Sequence, residues 1–255
     1  MANEVVVVTG AGSGIGMATA LLFAKHGYTV IATGRRKSRL NDTVTAGADS
    51  PGRIIAVAGD VGRPEDARHI TEQALEAGDY KMLVNNAGVG WQFGVDEPGS
   101  MAALRETSAE HWREVMRINL DSVYYMCHEA LKHFTSGSSI VNVSSAGGLR
   151  GMQDAHTYAT TKAGIINLTR SLAKTYGPEG IRANVVAPGF VDTEMVGPVL
   201  ESPENPFKDD ATRFLVNPMG RPGTPDEIAK AIYFVAVEGT YCNGSVLVAD
   251  GGSLA

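Results

Sequence analysis

The stretch VVVVTGAGSGIGMATALLFAKHG, residues 5–27, constrains the fold of this chain more than any other. It reads as a β-branched strand, a glycine loop and an amphipathic helix in direct succession. Gly10, Gly14 and Gly16 follow the spacing G-x3-G-x-G. Glycines so placed permit a tight turn, close approach of a pyrophosphate to the backbone, and close packing of helix on sheet. The helix that follows offers unpaired N–H groups and the positive end of its dipole to an anion. A glycine triplet alone also suits a purely structural turn. Its position between a buried strand and a helix points to dinucleotide binding.

The rest of the chain supplies the other layers of such a fold. Apolar, β-branched runs recur at 4–9, 28–33, 53–58, 81–85, 139–144, 181–186 and 244–249. Most are continuously apolar, as strands covered on both faces are. Helical segments fall between them at 15–26, 65–77, 111–134, 156–176 and 225–237. This alternation predicts an α/β fold of the Rossmann type: a doubly wound parallel sheet of about seven strands, helices on both faces, in a single domain over 1–255. YGPEG is expected to end the 156–176 helix, with Gly177 as a left-handed cap and Pro178 after it. TPDEI opens the last helix, with Thr224 as N-cap, Pro225 at its first position and acids in the first turn. Residues 194–223, rich in Pro and polar side chains, read as an inserted lid on the substrate side.

Composition excludes several function classes. With 255 residues the chain can bury a sizeable core, and its formal charge of −6 argues against a general nucleic-acid binder. Cys127 and Cys242 are isolated, which fits reduced thiols better than a disulfide framework. No run of residues is long and apolar enough for a membrane helix, and the first residues lack the basic segment of a signal peptide. No His, Cys and Asp cluster has metal-ligand spacing. A cytoplasmic protein without metal or membrane partner is expected.

Two further patterns address the ligand. The second strand ends IATGRRKSRL, with Gly34 where dinucleotide folds often place an acid for the adenosine ribose hydroxyls. Arg35 and Arg36 follow, which is the charge logic of a 2′-phosphate, so NADP(H) is favoured over NAD(H). In HTYATTKAGI, Tyr158 and Lys162 stand four residues apart, so a helix presents both on one face. A free tyrosine, with a pKa of about 10, is a poor base at neutral pH. A neighbouring ammonium, together with the positive ring of an oxidised nicotinamide cofactor, is expected to lower that value and make the phenol an acid/base group.

The glycine loop, NNAG at 85–88, NVSS at 142–145, YATTK at 158–162 and PGFVDT at 188–193 occur in one order. Together they resemble the short-chain dehydrogenase/reductase family over essentially the whole chain. The resemblance implies an NAD(P)(H)-dependent interconversion of a secondary alcohol and a ketone. It implies Tyr158 as acid/base, Lys162 as its activator and ribose ligand, Ser145 as the hydrogen-bond partner of the substrate oxygen, and Asn119 as the fourth member of the proton relay. Ser145 is preferred to Ser144 because it lies thirteen residues before Tyr158.

For the cofactor the resemblance implies Gly10, Ser13, Gly14, Ile15 and Gly16 at the phosphates. Asp60 and Val61 fall at the adenine, and Asn86, Ala87 and Gly88 along the middle. Pro188, Gly189, Val191 and Thr193 fall beside the nicotinamide, where Tyr158 and Lys162 also reach. Trp91, Met152 and Met195 are candidates for the substrate wall, together with Ser145 and Tyr158. Family members assemble chiefly as homotetramers or dimers, and the same is expected here.

The chain departs from the family pattern at two places. Ser13 stands where some NADP-using members carry a basic residue, so the cofactor reading rests on Arg35 and Arg36. The segment 90–112, starting with Trp91, Gln92 and Phe93, is longer than usual. Two rival functions stay open: a catalytically silent nucleotide sensor or scaffold on the same fold, and reduction of a C=C or imine bond.

Overall fold

The computed structural model describes residues 4–90, 101–201, 205–209 and 213–255. Four consecutive valines, Val5 to Val8, are fully buried in β1 (Glu4–Thr9). Val5 and Val7 face one apolar cluster, and Val6 and Val8 face another on the opposite side of the sheet. Successive strand side chains point to opposite faces, so a strand buried on both must be apolar at every position. Each such valine contributes about 1.5–3 kcal/mol by leaving water.

The strands that join β1 are β2 (Thr29–Gly34), β3 (Arg53–Ala58), β4 (Asp79–Asn85), β5 (Ser139–Val143), β6 (Arg182–Pro188) and β7 (Val246–Ala249). They form one parallel sheet in the order β3-β2-β1-β4-β5-β6-β7. Strand order reverses between β1 and β4, and the crevice at the carboxyl ends of those two strands is where such sheets bind ligands. On one face lie α1 (Gly14–Lys25) and α9 (Pro225–Tyr233), which pack on each other. On the other lie α3 (Pro64–Ala77), α5 (Ser122–Leu131) and α6 (His156–Tyr176). The remaining helices are α2 (Lys37–Ala46), α4 (Ala109–Met116), and the short α7 (Gly197–Glu201) and α8 (Arg213–Val216).

Several elements differ from the sequence expectation for local physical reasons. The sequence reading names no helix over α2. In α1 only Lys25 is exposed, so the helix is apolar round most of its circumference. It is covered by the sheet and by α9 together. The helix expected over 111–134 is two helices joined by a π-helical turn, Arg117–Asp121, which contains Asn119. It begins earlier as well, because the Ser108 side chain accepts from the His111 N–H and caps α4. Gly177 is right-handed (φ −56°), and the left-handed residue that ends this segment is Gly180 (φ 78°). Thr224 caps α9 in a reciprocal box with Glu227, and Arg221 holds the Glu227 carboxylate at 2.7 Å.

Candidate active site

The crevice is divided into two joined compartments of about 240 and 280 Å3, which share Ile15, Asn86, Gly88, Thr193 and Met195. The first is built on the glycine loop. Gly10 (φ +67°) and Gly14 (φ +51°) are left-handed, and a Cβ on Gly16 would lie 2.2 Å from the Gly10 carbonyl oxygen. Loop and β4 are tied together by Thr9, whose hydroxyl accepts from the N–H groups of Asn86 and Ala87, each at 3.0 Å. The Asn86 amide returns a bond to the Thr9 carbonyl at 3.0 Å. Ser13, the N-cap of α1, makes no side-chain capping bond, so the first turn of the helix is left open to an anion. A nicotinamide dinucleotide fits this cradle, where added Cβ atoms at Gly10 and Gly16 would meet backbone.

The far end of the same compartment carries Gly34, Arg35, Arg36 and Arg39, with Asp60 and Val61 beside them. Arg39, not singled out by the sequence reading, projects from the unpredicted α2. Its guanidinium lies 2.9 Å from Glu194, which also reaches Arg36 at 3.5 Å. Asp60 is held on several sides: Arg117 bonds its carboxylate at 3.0 Å, the Gly62 N–H does so at 3.0 Å, and its own N–H donates to Asp66. Burial raises the pKa of the nearby Asp121 carboxyl, opposed by the Arg117 charge.

The second compartment brings Ser145, Tyr158 and Lys162 together, with Pro188, Gly189 and Val191 along one wall and Met152 and Met195 along others. Tyr158 is buried and lines the compartment together with Ser145, whose Oγ accepts from the Gly147 N–H at 3.1 Å. Lys162 Nζ donates to the Val143 carbonyl at 3.1 Å and lies 5.6 Å from the centroid of the Tyr158 ring. The adjacent Ser144 turns the other way and donates to the Lys162 carbonyl at 2.7 Å, pinning α6 to the end of β5. Asn119 is fully buried behind the compartment. Its Oδ1 accepts from the Val89 N–H at 2.7 Å, and its Nδ2 donates to the Val89 carbonyl at 3.0 Å. A Cβ on Gly88 would lie 3.2 Å from Asn119 Oδ1 and 3.5 Å from Lys162 Nζ, so glycine there keeps the relay compact.

The expected downward shift of Tyr158 is reversed. Burial raises its pKa, with the Ser145 hydrogen bond opposing, and burial lowers Lys162 to about 8. Both directions follow from removing a charged form from water. Desolvation is the largest cause at both groups.

Several wall residues carried no prior assignment: Met101, Arg150, Phe190, Val216, Asn217 and Ser253. They come from five separate chain segments, and only Phe190 falls within one of the quoted motifs. Phe207 stacks edge-on against Phe190 at 5.7 Å and so supports that wall. Met195 fills the space beside Gly90. Trp91 and its neighbours Gln92 and Phe93 lie outside the described residues. His156 is at the exposed start of α6, away from the cavity walls. Among the described residues no group of His, Cys, Asp and Glu could hold a metal ion, and no helix is long and apolar enough to cross a membrane.

Comparison with known proteins agrees with this geometry. The family model described as enoyl-(acyl carrier protein) reductase matches residues 10–253. The cis-4-hydroxycyclohexanecarboxylate dehydrogenase of Sinomonas cyclohexanicum is 38% identical over 98% of this chain and 96% of its own. The 3-oxoacyl-(acyl-carrier-protein) reductase of Thermotoga maritima is 35% identical over 98% of this chain and 97% of its own. A short-chain dehydrogenase from Burkholderia cenocepacia, solved in complex with NADP, superposes with a TM-score of 0.86 at 30% identity, covering 98% of this chain and 97% of that one. A parallel sheet with this strand order, a glycine-cradled crevice and matches that span nearly the whole chain lead to one conclusion: this protein belongs to the short-chain dehydrogenase/reductase family of oxidoreductases.

Proposed function

We propose that this enzyme interconverts a secondary alcohol and a ketone with NADP(H), Tyr158 serving as the acid/base group. The observation that carries this reading is the convergence of Ser145, Tyr158 and Lys162 on one compartment, with Lys162 Nζ 5.6 Å from the Tyr158 ring, at the end of the cleft away from Arg35, Arg36 and Arg39.

In the reducing direction Tyr158 donates its proton to the carbonyl oxygen, while Ser145 Oγ hydrogen-bonds the same oxygen as charge develops on it. In the oxidising direction the phenol takes the alcohol proton. When bound, the nicotinamide supplies or accepts the hydride at the reacting carbon. A raised tyrosine pKa keeps the phenol protonated at neutral pH, which suits its role as proton donor. Lys162, with its pKa near 8, is mostly cationic at pH 7 and stabilises the phenolate once the proton has left. Asn119 positions this relay by clamping the backbone of Val89 from inside the π-helical turn.

Arg35, Arg36 and Arg39 favour NADP(H), since guanidinium groups bind the 2′-phosphate that distinguishes it from NAD(H). The segment 194–223 serves as a substrate-side lid in this reading, supported by Glu194 and Met195, which line the crevice. Exposed Tyr124 on α5 and the free edge at β7 suit assembly into a homo-oligomer, which light scattering tests.

The deciding experiment is turnover of an alcohol and ketone panel, followed at the reduced-nicotinamide absorbance with both cofactors, by wild type and Tyr158→Phe. The variant is expected to lose at least a hundredfold in kcat and keep cofactor affinity. Wild-type turnover by Tyr158→Phe sinks the assignment.

A further inference from the structure

The compartment around Tyr158 has an uneven charge distribution. Its described walls include Met101, Met152, Phe190, Met195 and Val196, with no acidic side chain, and two cations. One is Lys162, buried and engaged by Val143. The other is Arg150, two residues beyond the short turn Ala146–Gly148 that follows Ser145.

Arg150 is exposed and makes one hydrogen bond, from Nη1 to the Ser253 carbonyl at 3.3 Å. Among the described residues it has no carboxylate partner. Other arginines of this molecule do: Arg36 and Arg39 share Glu194, Arg117 holds Asp60 and Glu114, and Arg221 holds Glu227. The single bond to Ser253 fixes one end of the Arg150 guanidinium and leaves most of its donors free. A planar fork of N–H donors suits a carboxylate, which it binds through two parallel bonds.

We propose that Arg150 binds a carboxylate of the substrate, and that the substrate class is a small apolar ketone or secondary alcohol carrying that group away from the reacting carbon. This rests on the reading that Tyr158 serves the carbonyl. The apolar walls hold the carbon frame, and a cavity of about 280 Å3 accommodates a single ring or a short chain. The cation at the wall then orients the molecule, so that its neutral end faces Ser145 and Tyr158.

The test uses the holoenzyme and a matched pair of ketones, 4-oxocyclohexanecarboxylate and its methyl ester, with wild type, Arg150→Met and Arg150→Lys. Wild type is expected to prefer the acid at least tenfold in kcat/KM. Arg150→Met should lose that tenfold through KM while the ester stays within twofold. Arg150→Lys should fall between them, and added salt should narrow the acid preference. Equal losses on acid and ester, or no acid preference in wild type, overturn the proposal. A 4′-phosphopantetheine thioester of a 3-oxo acid forms a third arm. If Arg150→Met impairs that substrate and not the free acid, the anion is a carrier phosphate and the carboxylate assignment falls.

A readout without turnover separates the two readings. Cyclohexanecarboxylate, which cannot react, is titrated calorimetrically into the protein with oxidised cofactor. Binding by wild type that Arg150→Met loses upholds the anion site even where no ketone is reduced, in which case the reaction assignment alone fails. Absence of carboxylate binding to wild type overturns the anion site whether or not neutral ketones are turned over.

Discussion

Glu194 lies 2.9 Å from Arg39, joining the segment after β6 to a helix 155 residues earlier in the chain. Both side chains are about half exposed, and such pairs stabilise a fold by no more than about 1 kcal/mol. The consequence is for binding. Glu194 occupies the two guanidinium groups, Arg36 and Arg39, that a 2′-phosphate would use. Glu194→Gln is expected to tighten NADPH binding two- to tenfold and leave NADH within twofold, read by fluorescence titration. Arg39→Ala should weaken NADPH selectively. Equal effects on both cofactors would remove Arg39 from phosphate recognition.

The two adjacent serines should separate by phenotype. Ser145 lines the cavity with Tyr158, whereas Ser144 donates to the Lys162 carbonyl. Ser145→Ala is expected to lower kcat by about a hundredfold with little change in stability, as loss of an oxyanion donor does. Ser144→Ala should cost about 1 kcal/mol of unfolding free energy by removing one buried hydrogen bond, with kcat reduced far less. Urea unfolding and steady-state kinetics on the two variants make the comparison.

Asn119 satisfies both backbone groups of Val89 in a fully buried position. Asn119→Leu removes both of these buried hydrogen bonds and is expected to cost about 2–4 kcal/mol. The thermal midpoint should fall accordingly, and kcat should fall further than KM changes.

Lys162 makes the cofactor-free protein sensitive to pH. Its pKa is about 8 when folded, against 10.5 for the free side chain. Below pH 8 it is charged in both states, so the folded state bears the full cost of burying that charge. Between pH 8 and 10.5 the folded state sheds its proton first, and the cost disappears. The difference corresponds to roughly 3 kcal/mol. Lys162→Met should therefore be stabilised relative to wild type at pH 7, by an amount that shrinks as pH rises toward 10. A stability difference independent of pH would show that the buried amine is not what costs the fold.

Gly16→Ala places a methyl 2.2 Å from the Gly10 carbonyl oxygen and 2.6 Å from the Asn86 amide. Backbone must shift to admit it, at a cost of about 1–3 kcal/mol or more. Cofactor affinity should drop at least tenfold, since the same shift distorts the cradle. Calorimetric titration of NADPH checks this, and unchanged affinity would show that the loop binds no phosphate.

Some of this protein was legible along the chain because the governing physics is local. The bounds of β1, β3 and α6 agree with the apolar runs and helical spacing that predicted them. Thr224, Pro225 and the acids after them mark the start of α9 through capping chemistry contained within four residues. The parallel, doubly wound sheet follows from strands apolar at every position, which only two covered faces explain. The candidate residues Ser145, Tyr158 and Lys162 were named from spacing and family resemblance before any contact was known.

What the chain could not reveal depends on partners distant in sequence. The π-helical turn at Asn119 coincides with a clamp on Val89, 30 residues away, and no helical periodicity encodes it. Arg39 meets Glu194 only because α2 and the segment after β6 converge at one rim of the crevice. Arg150 enters the reacting compartment through the turn after β5, beside a C-terminal loop that supplies Ser253. The reversal at Tyr158 and Lys162 has the same origin. Spacing set the two side chains on one face of a helix, but only tertiary burial determined that loss of water, and not their mutual charge, governs their protons.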